Sequence, residues 1–309
     1  MTSKRTAILI SNPNAGRGGR RRAREVTRLR EALAALGVDL EVWNTRAPGD
    51  ATRLAREAAA TAREIIVSGG DGTINEALQG LTDATDARLG IWPAGTANVL
   101  ARHLRLPFDA EGAAHAFAAG ATRRITLGCA INETTGARRH FFLMAGVGLD
   151  ASVVRGVRPR LKRRVGEAAY WYSGLGHLAH WRPRPFTVEI GRESFQATYA
   201  AIGKAPWYGG GLRITPGARL DATEFEVCLI DARSRLRYLY LLTHAMRETW
   251  AGERRDVRFL RTRHLRVTGE ADVQADGELI GCLPMSFEVL PEGIDIVVPR
   301  EPTDVLSGG

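Results

Sequence analysis

The sequence predicts a two-part α/β protein: a Rossmann-like, doubly wound domain over residues 1–124 and a β-sandwich-like domain over residues 125–292. Two observations carry this. Up to about residue 124, short apolar runs alternate with helix-like segments, the pattern of a parallel sheet covered by helices on both faces. Beyond that point strand-like runs follow one another with turn residues between them, as in packed antiparallel sheets. A chain of 309 residues suffices for two domains of ordinary size.

Each element has a local signature. Ala7 to Ser11 reads as a buried strand, closed by the turn Asn12-Pro13-Asn14-Ala15-Gly16. Ala23 to Leu36 is helix-like and ends at Gly37, a natural C-cap. Leu40 to Trp43, Glu64 to Ser68 and Leu89 to Trp92 supply three more strands, with helices expected over 49–61, 73–81, 96–104 and 111–119. In the second half, Ile125 to Ile131 and His140 to Ala145 flank Asn132-Glu133-Thr134-Thr135-Gly136 as a hairpin. Strand-like runs follow at 186–190, 195–202, 225–230, 264–268, 271–275 and 285–290, interrupted by helical stretches at about 160–180 and 235–251. The last strand, Gly293 to Val298, is expected to return to the first domain and take residues 293–309 with it.

Composition narrows the class. Hydrophobic residues make up 44% and charged residues 25%, a soluble globular balance. No run approaches the roughly 18 uncharged apolar residues of a membrane span, and the N-terminus lacks a signal-peptide pattern, so a cytoplasmic protein is expected. The cysteines Cys129, Cys228 and Cys282 are odd in number and far apart, which gives no support to a disulfide framework or a CxxC zinc site and suggests buried free thiols. A net charge of +9 favours anionic partners: nucleotides, nucleic acid or an anionic membrane surface. Seven histidines without metal-binding spacing, and no nucleophile elbow, argue against a hydrolase.

The chemistry gathers at turns. Ile65 to Ser68 breaks into Gly69-Gly70-Asp71-Gly72-Thr73, with Thr73 and Glu76 spaced as a capping box that opens the next helix. Glycines let backbone approach phosphate, and a helix start supplies N–H groups and a favourable dipole. A carboxylate among phosphates needs a cation between, so Asp71 reads as a Mg²⁺-side ligand acting through water. No Gly-Lys-Ser/Thr follows, so this is not a Walker A loop. The turns at residues 12–16 and Pro93-Ala94-Gly95-Thr96-Ala97-Asn98 also sit between strand and helix, and in a doubly wound sheet such turns share the carboxyl edge where ligands bind. Far downstream, Ala275-Asp276-Gly277-Glu278 places two carboxylates at a turn, either of which could accept a proton from an attacking hydroxyl.

In order along the chain, Asn12 to Gly16, Gly69 to Thr73, Pro93 to Asn98, Gly146-Val147-Gly148-Leu149-Asp150-Ala151, Tyr208-Gly209-Gly210-Gly211 and Asp276-Gly277-Glu278 resemble the diacylglycerol kinase-like lipid kinases. That family includes bacterial diacylglycerol and phosphatidylglycerol kinase-like proteins and the sphingosine and ceramide kinases. The resemblance implies the NAD kinase/diacylglycerol kinase-like fold, ATP in the cleft between domains, and γ-phosphoryl transfer to a lipid hydroxyl bound by the second domain. It implies a nucleotide site at Asn12, Asn14, Thr45, Gly69, Gly70, Asp71, Gly72, Thr73 and Thr96, with Asp71 acting with catalytic Mg²⁺. Glu278 is implied as proton acceptor with Asp276 beside it, which of the two acts being left open. Related bacterial enzymes carry an accessory Mg²⁺ at an Asp-Gly pair after a Pro-x-Ala segment. Here Ala222 and Thr223 stand in that place, with Asp221 one position early and a site built on the carbonyls of Arg219 and Glu224 as the remaining option, and we expect this second metal to be lost.

The arginine-rich run over Arg155, Arg158, Arg160, Lys162, Arg163 and Arg164 suggests a peripheral docking patch for anionic lipid, competing with a merely solvated segment. Tyr170-Trp171-Tyr172 with Leu175, Leu178 and Trp181 suits core packing. Arg17, Arg20, Arg21, Arg22 and Arg24, beside the first nucleotide loop, read as a solvated helix face with assistance to phosphates as the alternative, and the run Arg254 to Arg266 as solvated surface. No nucleic-acid partner is expected, and a homodimer stays open. The rival readings are an NAD kinase-like or other small-molecule kinase, which shares the Gly-Gly-Asp-Gly turn, and a non-catalytic lipid- or nucleic-acid-binding protein.

Overall fold

The computed structural model describes residues 5–16, 20–84, 86–156, 181–208, 212–247 and 256–300. It divides into two compact units, residues 1–125 with 293–309, and residues 126–292. Among the described residues no helix is long and apolar enough to cross a membrane. The basic run beyond Arg155, the aromatic stretch at 170–178, the triplet at 209–211, and Arg17, Arg254 and Arg255 lie outside the described residues.

The first unit is a doubly wound α/β sheet. Strands β1 (Arg5–Ser11), β2 (Val38–Asn44), β3 (Glu64–Gly69) and β4 (Arg88–Pro93) run parallel in the order β2-β1-β3-β4. Residues 293–298 add a further parallel strand beside β4, with Asp295 opposite Arg88 and Ile296 opposite Leu89. Ala7, Ile8, Leu9 and Ile10 are all buried, as are Ile65, Ile66 and Val67, so both sheet faces are covered. Helices α1 (Arg20–Ala35), α2 (Asp50–Thr61), α3 (Asp71–Leu81), α4 (Val99–His103) and α5 (Ala110–Ala119) follow the strands. Right-handed crossovers in opposite directions, β1 to β2 and then β2 past β1 to β3, place α1 and α2 on opposite faces. Accordingly α1 packs with α5, and α2 with α3. In α1, Leu29 and Leu33 stack one turn apart into a core with Phe117 and Trp92, and the helix stops where Gly37 takes a φ of 78°.

The second unit is an antiparallel β-sandwich. In chain order it holds β5 (Ala121–Asn132, which enters from the first unit), β6 (Arg138–Phe141), β7 (Met144–Val147), α6 (Leu149–Gly156), β8 (Phe186–Ile190), β9 (Glu193–Ala197) and β10 (Tyr199–Gly203). A short pair follows, β11 (Trp207–Tyr208) and β12 (Leu212–Arg213), then β13 (Phe225–Ile230), α7 (Arg235–Arg247) and β14 (Val257–Thr262). Last come β15 (His264–Gly269), β16 (Asp272–Ala275), β17 (Glu278–Cys282) and β18 (Met285–Val298). One sheet has the order β14-β13-β10-β7-β16-β17; the other contains β9-β8-β15-β18 with β5 and β6. Val147, Ile202, Val227 and Val273 from the first sheet meet Val188, Val267 and Phe287 from the second in one core, where Phe141 stacks on Phe225 at 5.7 Å.

Several expectations are corrected. The run 195–202 is two strands, β9 and β10, in different sheets. They part at Thr198, whose buried Oγ1 bonds the Ile230 and Ala232 carbonyls and holds the corner. Strands β14 and β17 were not anticipated. Arg258 and Arg261, three apart and so on opposite faces of β14, hide its alternation, and β17 begins on Glu278 itself. The runs 285–290 and 293–298 form one strand, β18. Cys129 and Cys228 are buried, but Cys282 is exposed at the end of β17, where its Sγ meets Asp272 Oδ1 at 3.3 Å.

Candidate functional site

Three strand-to-helix turns of the first unit meet backbone to backbone. Asn12 N donates to Ser68 O (2.8 Å), and Ala94 N donates to Gly69 O (2.8 Å), so each turn continues the sheet's hydrogen bonding past the strand ends. A Cβ on Gly16 would come within 2.4 Å of Ala94 O, and one on Gly95 within 2.5 Å of Gly70 Cα. A Cβ on Gly69 would strike the Thr73 side chain at 2.4 Å, whereas one on Gly72 would meet nothing within 4 Å. Glycine is therefore required at 16, 69 and 95 by close approach, and Gly72 leaves an open face at the start of α3.

Side chains tie the turns together. Asn12 Nδ2 donates to Thr73 Oγ1 (3.0 Å), while its Oδ1 accepts from Asn14 N (3.0 Å) in an Asx turn. Thr45 is buried after β2, its N–H donating to Ser11 O at 2.9 Å; Thr96 is exposed in the third turn. Buried Asn98, with φ of 48°, closes that turn by bonding both Gly95 N (2.9 Å) and Gly95 O (2.7 Å). The expected capping box does not form. Helix α3 begins at Asp71 with Gly70 as its N-cap and no side-chain cap, Thr73 answers Asn12, and Glu76 accepts from Gly49 N at 3.0 Å.

Asp71 bridges two turns. Its carboxylate accepts from Val99 N (3.1 Å) and Leu100 N (3.4 Å) at the start of α4. Burial pushes its pKa up, and these amides pull it back down. The backbone amides of Asn98 and of Asp71 itself also serve this carboxylate. Among the described residues no group of three or more His, Cys, Asp or Glu converges on a metal position. Asp71 with water and nucleotide phosphates nevertheless matches the way Mg²⁺ is usually held, by one or two carboxylates and phosphate oxygens.

Sequence reasoning missed Arg22. Instead of facing solvent, its guanidinium lies 4.0 Å from the Trp92 ring and donates to Ser68 Oγ, beside Gly69. Burial lowers its pKa. Within a run of arginines nothing in the sequence singles it out.

In the second unit, the β16–β17 hairpin turns on Asp276 and Gly277, with φ of 48° and 81°. Positive φ at both central residues marks a type I′ turn, which Asp-Gly favours. Both Asp276 oxygens are engaged, accepting from Phe142 N (2.9 Å), Leu143 N (3.0 Å) and Met144 N (3.0 Å). Glu278, opposite Ala275, is the more open carboxylate, its side chain 44% exposed and paired with Arg139. Behind the turn, buried Gln274 accepts from Gly277 N (2.8 Å) and donates to Asp150 Oδ2 (2.9 Å). Asp150 folds back over Gly146, where a Cβ would sit 1.8 Å from its Oδ2, which explains the glycine of that motif. Burial raises the Asp150 pKa to about 6, against the Gln274 and Ala151 hydrogen bonds.

The candidate accessory-metal donors do not converge as carboxylates. Asp221 is gripped by Arg219 Nε and Nη2 (3.0 and 3.1 Å), and Glu224 Oε1 pairs with Arg261 at 3.3 Å.

The sequence matches the diacylglycerol kinase catalytic domain over residues 6–130 and the YegS C-terminal NAD kinase beta sandwich-like domain over residues 144–298. A diacylglycerol kinase of Mycobacterium tuberculosis is 31% identical over 300 residues, covering 94% of each chain. One from Bacillus subtilis is 28% identical over 307 residues, covering 97% of this chain and 99% of its own. A crystal structure of a diacylglycerol kinase from Bacillus anthracis shares the fold, with a TM-score of 0.74 at 20% identity over 97% of this chain and 98% of that one. The ordered turns, the sandwich and the full-length similarity agree: this chain belongs to the diacylglycerol kinase family and is a kinase of that family.

Proposed function

We propose that the protein transfers the γ-phosphoryl group of ATP to the hydroxyl of diacylglycerol or a related lipid, working in the cytoplasm at an anionic membrane surface. The observation that carries the reading is the split between the two carboxylates of the Asp-Gly-Glu turn. Asp276 is used up by three backbone amides, so it builds the turn, whereas Glu278 projects beyond it. We assign Glu278 as proton acceptor and Asp276 as its positioning residue. Arg139 orients the Glu278 carboxylate. In the first unit, the N–H groups of the first α3 turn and the glycine backbone at 69–72 offer donors to phosphate. Asn12, Asn14, Thr45, Thr73 and Thr96 line the nucleotide, and Asp71 faces Mg²⁺ through water. When bound, Mg²⁺ neutralises charge on the phosphates.

Because phosphoryl transfer passes through a loose transition state, an ordinary carboxylate suffices as base. Transfer of label from γ-labelled ATP, with products identified by mass spectrometry, tests the reading on diacylglycerol, total lipid extract and NAD. Phospholipid product is expected from the first two only; labelled NADP with no lipid product would replace the lipid reading with the NAD kinase-like one. Glu278→Gln should lower kcat by about 10²–10⁴-fold with an unchanged melting midpoint. Asp276→Asn should lower both. Full lipid turnover by Glu278→Gln would remove Glu278 from the role of base.

A further inference from the structure

Lys204 follows β10 and is fully buried. Its backbone is fixed by donation from Lys204 N to Leu143 O (2.8 Å). The side chain runs into the 219–224 loop, where Nζ donates to the carbonyl of Ala222 and, at 3.5 Å, to that of Glu224. Ala222 O also accepts from Thr126 Oγ1 at 2.5 Å. A buried ammonium costs several kcal/mol unless it is well solvated by protein groups. Here main-chain carbonyls do that, with Asp221 and Glu224 near enough to favour the charge.

We infer that the Lys204 ammonium is an internal cation standing where the accessory divalent metal would sit, so that the 219–224 loop of this chain closes without Mg²⁺. Three independent features agree. The Glu224 carbonyl, one of the candidate metal donors, lies 3.5 Å from Nζ, which also takes the Ala222 carbonyl. The position where the Asp-Gly pair would bring a carboxylate is Ala222, so the net charge of the site is kept: a dication with a carboxylate, or an ammonium without one, each amount to a single positive charge. The neighbouring carboxylates are turned toward Arg219 and Arg261. Adding a divalent ion to these carbonyls would set it within a few ångströms of a buried ammonium, a strongly repulsive arrangement.

The test uses the full chain carrying Asp71→Asn, without nucleotide, so that metal at the proposed catalytic position does not contribute. Thermal unfolding and titration calorimetry are run with EDTA and with Mg²⁺ alone. The expected result is one midpoint in both and no heat of Mg²⁺ binding. Lys204→Met should lower the midpoint by about 5–10 °C, with no recovery in Mg²⁺. Lys204→Asn combined with Ala222→Asp should regain a midpoint that rises with Mg²⁺. A Mg²⁺-dependent rise without Lys204 replacement, or Lys204→Met melting at the parent midpoint in EDTA, overturns the inference. Should Lys204→Met not fold, the metal titration of the parent decides alone. The readout is independent of turnover, so its failure is distinct from failure of the kinase reading.

Discussion

Asp150 carries its proton further up the pH scale than an ordinary carboxyl, about 6 against 3.8, chiefly because it is buried. The proton therefore favours the folded state. That contribution is complete below about pH 4 and is lost as pH rises through about 6. Asp150→Asn removes the titration, so the wild-type midpoint minus the variant midpoint should fall between pH 4 and 6 and stay level above 7. A flat difference across that range would mean the carboxyl is not buried as described. The roles of single residues were the least legible in the sequence. Asp276 and Glu278 stand two apart in one motif, and only the three amides converging on Asp276 mark it as the builder of the turn and leave Glu278 as the proposed base. Arg22 is likewise one arginine among several until Trp92 is placed beneath it.

Among the elements, the glycine turns make a sharper claim than the helices they open. Gly37 has a left-handed φ of 78° and open space, so Gly37→Ala should cost only the local strain, about 1 kcal/mol. Gly95→Ala must push Gly70 away, because the added methyl would lie 2.5 Å from its Cα. It should destabilise more than Gly37→Ala and raise the KM for ATP at least about tenfold, a loss of roughly 1.4 kcal/mol. Equal effects in melting and in KM would show that the contact between the turns is slack. The parallel strands were legible because burial on both faces writes them as continuous apolar runs, as in Ala7 to Ile10. Strand β14 was not, since its arginines break the run, and the capping box failed because tertiary partners, Asn12 and Gly49, claimed Thr73 and Glu76.

For the molecule as a whole, a net charge of +9 predicts salt-sensitive binding to anionic surfaces. The protein should sediment with phosphatidylglycerol vesicles at low ionic strength and be released near 1 M salt, where the screening length falls to about 3 Å. Retention in high salt, or no binding at all, would remove electrostatic docking from the proposed function. The division into α/β and β-sandwich units was legible because the periodicity of the sequence changes near residue 124, where the strand β5 enters the second unit.

The return of residues 293–298 to the first sheet also sets an order of events during synthesis. Strand β4 leaves the ribosome roughly 200 residues before its outer neighbour exists, which at about 5–20 residues per second is some 10–40 s. Over that interval the open side of β4 offers unpaired backbone groups to any passing strand. The edge of β4 thus stays unpaired until residues 293–298 are made, and slowing translation across the second unit should raise aggregation more than slowing it across the first.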